Sequence, residues 1–366
     1  MADRPQVRFF LGANAPTGFY SLYDQLIDPA QAADYYLLKG GPGCGKSTLM
    51  RQVGAALEAR GVEVEYIQCS GDPDSLDAIA APALGSAIVD ATAPHVVEPQ
   101  YPGVVERYVN LGDCYDSGGL QAAREEILSC MKGYKGCYSR AYRCLTAAAQ
   151  IEEDSRALLL TPAVEERLAK RARGILSREC RRTGGEPGQA RQRFLDAISC
   201  QGALCNFETA DALCKRIYEL CDTYGLAHTL LLHLAAGAMG AGYDVILCPD
   251  PLAPDRLRHL LIPSLSLGFV SSSPAQPYRG KRPFRRLRLD AMAGQEQMQC
   301  SRSRLRFARK IAAALIDEAV DSMAQAKEMH DHLEALYNPY VDFDRVHAMA
   351  GEIADRLLKR LDSRPA

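Results

Sequence analysis

The chain is written twice, and no other feature constrains its fold as strongly. Residues 73–84, PDSLDAIAAPAL, lie over 254–265, PDRLRHLLIPSL. Pro73, Asp74, Leu76, Pro82 and Leu84 match Pro254, Asp255, Leu257, Pro263 and Leu265 at one constant offset. The same offset carries Thr48, Leu49, Gly61 and Val64 onto Thr229, Leu230, Gly242 and Val245. Upstream, Phe10, Leu11, Ala13 and Gly18 align with Phe194, Leu195, Ala197 and Gly202; near the ends, Pro162 aligns with Pro339. Matches that keep their order over the whole length mark a duplication. In 366 residues that means two similar domains. The polar, glycine-rich stretch RRTGGEPGQARQ, 181–192, reads as the link, which places the domains at 1–185 and 190–366.

Each half follows one plan. After an entry segment, an apolar strand (YYLLKG) runs into a glycine loop and then a helix (STLMRQVGAALEARG) that Gly61 ends. VEVEYIQC supplies a second strand, and Ala87–Val89 a third that ends at Asp90. YDVILC and LSLGFVSSS take those places in the second half. Strands alternating with helices predict an α/β fold of two tandem three-layer domains with parallel sheets. Residues 119–180 and 302–362 are rich in Ala, Leu, Arg and Glu at helical spacing, each broken near a proline. They predict a helical hairpin appended to each sheet.

The loop GGPGCGKST, 40–48, carries the chemistry. Gly40 and Gly45, with Gly41, Pro42, Gly43 and Cys44 between or beside them, let the backbone turn tightly and aim N–H groups inward, a concavity that fits the oxygens of a β-phosphate. Lys46 then reaches the β- and γ-phosphates as a point charge, Ser47 ligates Mg²⁺, and Thr48 continues the first turn of a helix whose positive end faces the anion. The expected ligand is therefore a nucleoside triphosphate with magnesium. Because no Asn-Lys-x-Asp guanine signature occurs, ATP is preferred over GTP. A second Mg²⁺ anchor belongs at the end of a neighbouring strand, where Asp90 stands; Asp72, Asp74 and Asp77 are alternatives. Asp74 also suits the cap of a helix starting at Ser75. His95 and Thr92 follow Asp90 closely enough to sense a γ-phosphate. Catalytic work thus falls to Lys46 and Asp90, metal ligation to Ser47 and Asp90. Cys44, near a helix N-terminus, is a candidate for modification that blocks binding.

The second loop has lost this chemistry. In CDTYGLAHT, 221–229, Ala227 stands against Lys46, His228 against Ser47, and Ser271 against Asp90, while Asp222 adds negative charge where phosphate would sit. No nucleotide is expected there. The stretch 277–290 is instead basic, with Arg279, Lys281, Arg282, Arg285, Arg286 and Arg288, which suits an arginine finger, a phosphate-rich ligand site, a nucleic-acid patch or a solvated face.

The totals exclude other classes. A net charge of -2 provides no global field toward nucleic acid or anionic lipid. No apolar run spans a bilayer and the N-terminus lacks a signal-peptide core, so a cytoplasmic protein is expected. Thirteen cysteines without paired CxxC motifs read as reduced thiols, with Cys130, Cys137 and Cys144 forming a seam along one helix.

Three stretches together, GGPGCGKSTLM, AIVDATAPHVVEPQYPG and LEALYNPYVDFDRV, resemble a family of bacterial tandem P-loop proteins labelled ATP-binding proteins or ATPases, over essentially the whole chain. The resemblance implies ATP binding through Gly40, Gly45, Lys46, Ser47 and Thr48. Some members keep a phosphate loop in both halves; this chain departs from that pattern at 221–229. The expected activity is Mg-dependent ATP hydrolysis at one site, regulated or supported by the degenerate half. Two rivals stand beside it. One is a small-molecule or nucleotide kinase, with Arg107, Arg124, Arg140 and Arg143 to hold an acceptor. The other is a non-catalytic module that docks an unknown protein or small-molecule partner when ATP is bound.

Overall fold

A computed structural model describes residues 6–363; the outermost residues of both expected domains lie outside that range. The first half contains β1 (Val7–Phe10), the hairpin β2 (Gly12–Ala15) and β3 (Gly18–Ser21), β4 (Asp34–Lys39), α1 (Lys46–Ala59), β5 (Glu65–Gln68), β6 (Leu76–Ala81), β7 (Ser86–Asp90) and β8 (Glu106–Asn110), then α2 (Ser117–Ala122), α3 (Arg124–Leu159) and α4 (Pro162–Glu179). The second contains β9 (Ala190–Gln192), the hairpin β10 (Asp196–Ser199) and β11 (Gly202–Cys205), α5 (Phe207–Leu213), β12 (Arg216–Cys221), α6 (Ala227–Gly240), β13 (Val245–Asp250), β14 (Ala253–Ile262), β15 (Leu267–Ser272) and β16 (Arg285–Arg288), then α7 (Gln295–Cys300), α8 (Arg302–Tyr337) and α9 (Phe343–Asp362).

Two six-stranded sheets result, in the orders β1-β5-β6-β7-β4-β8 and β9-β13-β14-β15-β12-β16. The duplication is thus visible strand for strand. The sheets are not purely parallel, as expected from the sequence, but mixed. β6 runs antiparallel to both β5 and β7, and β14 to both β13 and β15. The cause lies in the repeated PAL and PSL segments. Pro82–Leu84 and Pro263–Leu265 are single 3₁₀ turns, closed by Gly85 at φ 61 and Ser266 at φ 49. A connection that short can only return the chain antiparallel. The same result corrects the helix at Ser75. That segment is β6, every residue of which is buried, and the Asp74 carboxylate accepts from Gln201 Nε2 at 2.7 Å instead of capping a helix.

The two halves meet around a pseudo-twofold axis. Phe10 and Phe194, one of the aligned pairs, exchange both backbone hydrogen bonds at 2.9 Å. α3 and α8 pack antiparallel along their length: Cys130 Sγ reaches Met329 O, Arg140 pairs with Glu318, and Arg304 with Asp154. The helices expected over 119–180 and 302–362 form, but they do not pack as hairpins: α3 packs on α8, and the second helix of each pair crosses to the other half. α4 packs on α6, placing Val164, Leu168, Ala172 and Ile175 in the core of the second sheet. α9 packs on α1, placing Val346, Ala350, Ile353 and Leu357 in the core of the first. A buried Val, Ile or Leu contributes about 1.5–3 kcal/mol, so each sheet draws several kcal/mol from the other half. All thirteen cysteines are unpaired thiols. Among the described residues, no helix is long and apolar enough to cross a membrane.

Candidate functional site

The glycine loop leaves β4 at its C-terminal end and enters α1 at Lys46. Leu37 and Leu38 anchor the strand in the core, and Leu49, Met50 and Val53 anchor the helix. Gly43 (φ 65) and Gly45 (φ 84) are left-handed, a conformation that costs glycine nothing and turns successive N–H groups to one side. β7 lies beside β4 with Leu38 opposite Asp90, so the strand end and the loop share one mouth. There Lys46 Nζ stands 3.5 Å from Asp90 Oδ2, both largely buried. Thr92 donates its backbone N–H and its hydroxyl to the other oxygen, Oδ1, at 2.9 and 2.5 Å. Lys46, Asp90 and Thr92 are therefore together, as the sequence predicts. Ser47 Oγ accepts from Leu76 N at 3.0 Å, which leaves its own proton to give. Pro42 is half-buried on the loop and Thr48 exposed at the start of α1. Cys44 is 1 % exposed, so its thiol is out of reach of a modifying reagent in this arrangement. The serine hydroxyl and the aspartate carboxylate are oxygen donors of the kind magnesium takes.

The cradle itself is covered. The Gly41 N–H donates to Tyr115 Oη at 2.6 Å, and the Gly43 N–H to Glu334 Oε1 at 3.2 Å. The Asn338 amide donates to Gly43 O at 3.0 Å, and the Tyr337 ring packs on Tyr115. Lys46 Nζ meanwhile donates to Gly40 O and Gly41 O, both at 2.8 Å. A Cβ on Gly43 would lie 3.1 Å from Glu334 Cα, and one on Gly41 2.8 Å from Tyr115 Oη, so both positions are tight, and Gly43 is left-handed as well. Glu334, Tyr337 and Asn338 belong to the end of α8 and the turn behind it, in the opposite half of the chain. Sequence reasoning missed all three, although LEALYNPYVDFDRV stood out as a motif; nothing local ties that motif to a loop nearly three hundred residues earlier.

The second loop shows how the chemistry was lost. The Asp222 carboxylate accepts from Leu226 N at 2.9 Å and Ala227 N at 2.7 Å, filling with a side chain the place at the start of α6 that corresponds to the first cradle. Burial pushes its carboxyl up to about 6, against the pull of those two N–H groups. His228 Nδ1 accepts from Leu257 N at 2.9 Å, taking over the structural hydrogen bond that Ser47 makes in the first half. Beside this loop opens a cavity of about 410 Å³. In it burial, reinforced by Asp250, lifts the Glu152 carboxyl to about 7.

The remaining expectations divide. Arg107 is paired with Asp34 and Arg140 with Glu318, so neither is free to hold an acceptor. The basic stretch forms the edge strand β16, where Arg286 pairs with Glu219 at 2.5 Å and Arg285 covers Phe284. The cross-half contacts described at the glycine loop come from the end of α8, and charged edge strands of this kind discourage unwanted pairing. Comparison with known proteins finds no matching family model, no matching curated protein and no matching solved structure.

Proposed function

We propose that this chain binds Mg-ATP at residues 40–48 of its first half and hydrolyses it, with the second half as a degenerate, regulatory copy. The observation that carries this reading is the Lys46–Asp90 pair at the mouth of a left-handed glycine cradle. A lysine that holds loop carbonyls, the Cys44 sulfur and one carboxylate is poised to turn toward a phosphate, and Asp90 and Ser47 would hold magnesium. Magnesium supplies charge neutralisation on the phosphates when bound; the protein's own share is to orient the chain of phosphates along the N–H groups of the loop.

One observation favours a second reading, a nucleotide-dependent interaction module. The carboxylate in the cradle arrives on α8, a helix of the other half, so phosphate entry has to move Glu334 and with it the end of α8. Motion of that helix is an output even without turnover.

The test follows ADP and inorganic phosphate separately in purified protein with Mg-ATP, with Lys46→Ala alongside. Equal ADP and phosphate, both lost in the variant, support the ATPase. ATP bound without ADP supports the module, ADP without free phosphate that appears only when a phosphoryl acceptor is added supports a kinase, and equal ATP affinity in both proteins overturns the site. Lys46→Ala should melt within a few degrees of wild type, because no core is touched.

A further inference from the structure

His95 has a place in this site that the activity above leaves unassigned. It follows β7 by one turn, its backbone N–H donating to Thr92 O at 2.9 Å, and Thr92 in turn holds Asp90. The ring is fixed on every side but one. Nε2 faces Asp77 Oδ2 at 3.1 Å, and Tyr23 Oη donates to that same oxygen at 2.8 Å. The Phe19 and Tyr23 rings pack on the imidazole, with centroids 5.2 and 5.0 Å away. His95 is 7 % exposed, yet Nδ1 has no hydrogen-bond partner among the described residues. A polar atom held rigidly in the interior is ordinarily hydrogen-bonded, so its missing partner calls for an explanation.

The surrounding charges show what that partner would be. Burial disfavours the imidazolium, but the Asp77 carboxylate outweighs it and lifts His95 above its ordinary range; Asp90 adds to this and Lys46 opposes it. Asp77 is held correspondingly below the usual carboxylate range. The Cys69 thiol nearby is pushed up by burial and stays protonated. A charged ring whose Nε2–H is committed to Asp77 presents Nδ1–H as a donor without an acceptor. It does so one turn beyond the acid that would hold magnesium and within the field of the lysine that would reach the β- and γ-phosphates.

We propose that His95 reads the γ-phosphate: its Nδ1–H donates to a terminal phosphate oxygen, Asp77 orients the ring, and the site thereby distinguishes a nucleoside triphosphate from a diphosphate. The proposal rests on the ATP reading of the glycine loop. The second half offers the contrast. The offset that carries Asp90 onto Ser271 also carries Asp77 onto Arg258 and His95 onto Gln276, and there Gln276 Oε1 accepts from Arg258 Nη2 at 2.7 Å. The contact between the two positions survives, but the charge has changed sides: the position of Asp77 is now the cation, and the position of His95 holds a neutral amide.

The experiment is equilibrium titration calorimetry of Mg-AMP-PNP and Mg-ADP on the full chain, in wild type, His95→Ala, His95→Gln, Asp77→Asn and Lys46→Ala. His95→Ala should lose roughly 10- to 100-fold in AMP-PNP affinity, the range for a charge-assisted hydrogen bond, and keep ADP affinity within about threefold. His95→Gln, which retains an N–H, should lose less, and Asp77→Asn should shift the same ratio. Retained ADP binding also reports an intact fold. An unchanged AMP-PNP to ADP ratio in His95→Ala overturns the proposal while leaving the ATP site standing, provided Lys46→Ala weakens both ligands. Equal loss of both ligands in His95→Ala overturns it too, since that is a structural role. So does stoichiometric zinc in the purified protein that departs in Cys69→Ser, because Cys69, Asp77 and His95 offer ligand atoms within 4.8 Å of one another and His95 would then be a metal ligand. Wild type that binds neither nucleotide removes the ATP reading itself.

Discussion

Two carboxylates occupy equivalent cradles in this molecule, and they differ in how they are attached. Asp222 is built into the second loop and cannot leave without unfolding it. Glu334 reaches the first loop across 291 residues of sequence, is 39 % exposed, and can withdraw. Its charge also opposes an incoming phosphate. Replacing it with glutamine should therefore tighten ATP binding, by about 1 kcal/mol or roughly fivefold in Kd, in a direct titration; weaker binding would mean that Glu334 helps to hold the nucleotide. Asp222 permits a test by pH. Its carboxyl titrates near 6 in the fold against about 3.9 in the unfolded chain, so between those values the folded state holds the extra proton. Stability is then lost as pH rises from about 4 to about 6 and is level above. Asp222→Asn, which keeps an acceptor for the α6 N–H groups, should stabilise the protein by about 1–2 kcal/mol at pH 8 and change little at pH 4.5. Melting curves at the two pH values decide it; an equal difference at both would show that the carboxyl is not raised.

At the scale of elements, the exchanged helices α4 and α9 make stability in one half depend on sequence in the other. Leu168 on α4 is fully buried in the core built on β12, β15 and α6. Leu168→Ala should cost about 2–5 kcal/mol through lost burial and the cavity left behind. Its effect should fall across the molecule. Hydrogen exchange should quicken first in α6 and β12 of the second half, and less in α1, which lies closer in sequence order to the first loop. Protection lost first in α1 would contradict the packing. The elements themselves were unevenly legible. β4, α1 and β7 showed as an apolar run, a helical period and a strand ending in Asp90. β6 did not, because LDAIAA is short, buried on both faces and lacks alternation, so periodicity cannot tell it from a helical start. The long helices showed through their period and prolines but not their partners, because a helical stripe says that a face is buried and not against what.

At the scale of the whole molecule, the chain is an internal dimer whose pseudo-twofold axis passes between Phe10 and Phe194 and between α3 and α8. The exchange of α4 and α9 predicts how it breaks. Residues 1–185 expressed alone lack Val346, Ile353 and Leu357 over the first sheet, and residues 190–366 lack Leu168 and Ile175 over the second. Each fragment should be aggregation-prone alone, and co-expression should recover a soluble complex. Two independently soluble, cooperatively melting fragments would show that each half can recruit its own helix. The same architecture links function to shape, because α8 lines the cavity beside the second loop at one end and closes the first loop at the other.

The amino-acid sequence by itself determined what depends on neighbours along the chain. The glycine cradle follows from left-handed φ that only glycine adopts cheaply, the duplication from order-preserving matches, and the Lys46–Asp90 approach from a loop and a strand end that an α/β sheet must place side by side. Tertiary structure alone decided the rest: the antiparallel β6, the crossing of α4 and α9, the carboxylate of Glu334 in the cradle and the unpaired Nδ1 of His95. These depend on which surfaces meet, and apolar burial is non-directional. A buried stripe on α9 is satisfied equally well by either sheet until the length of α8 and the antiparallel packing of α3 against it carry the chain to the opposite half.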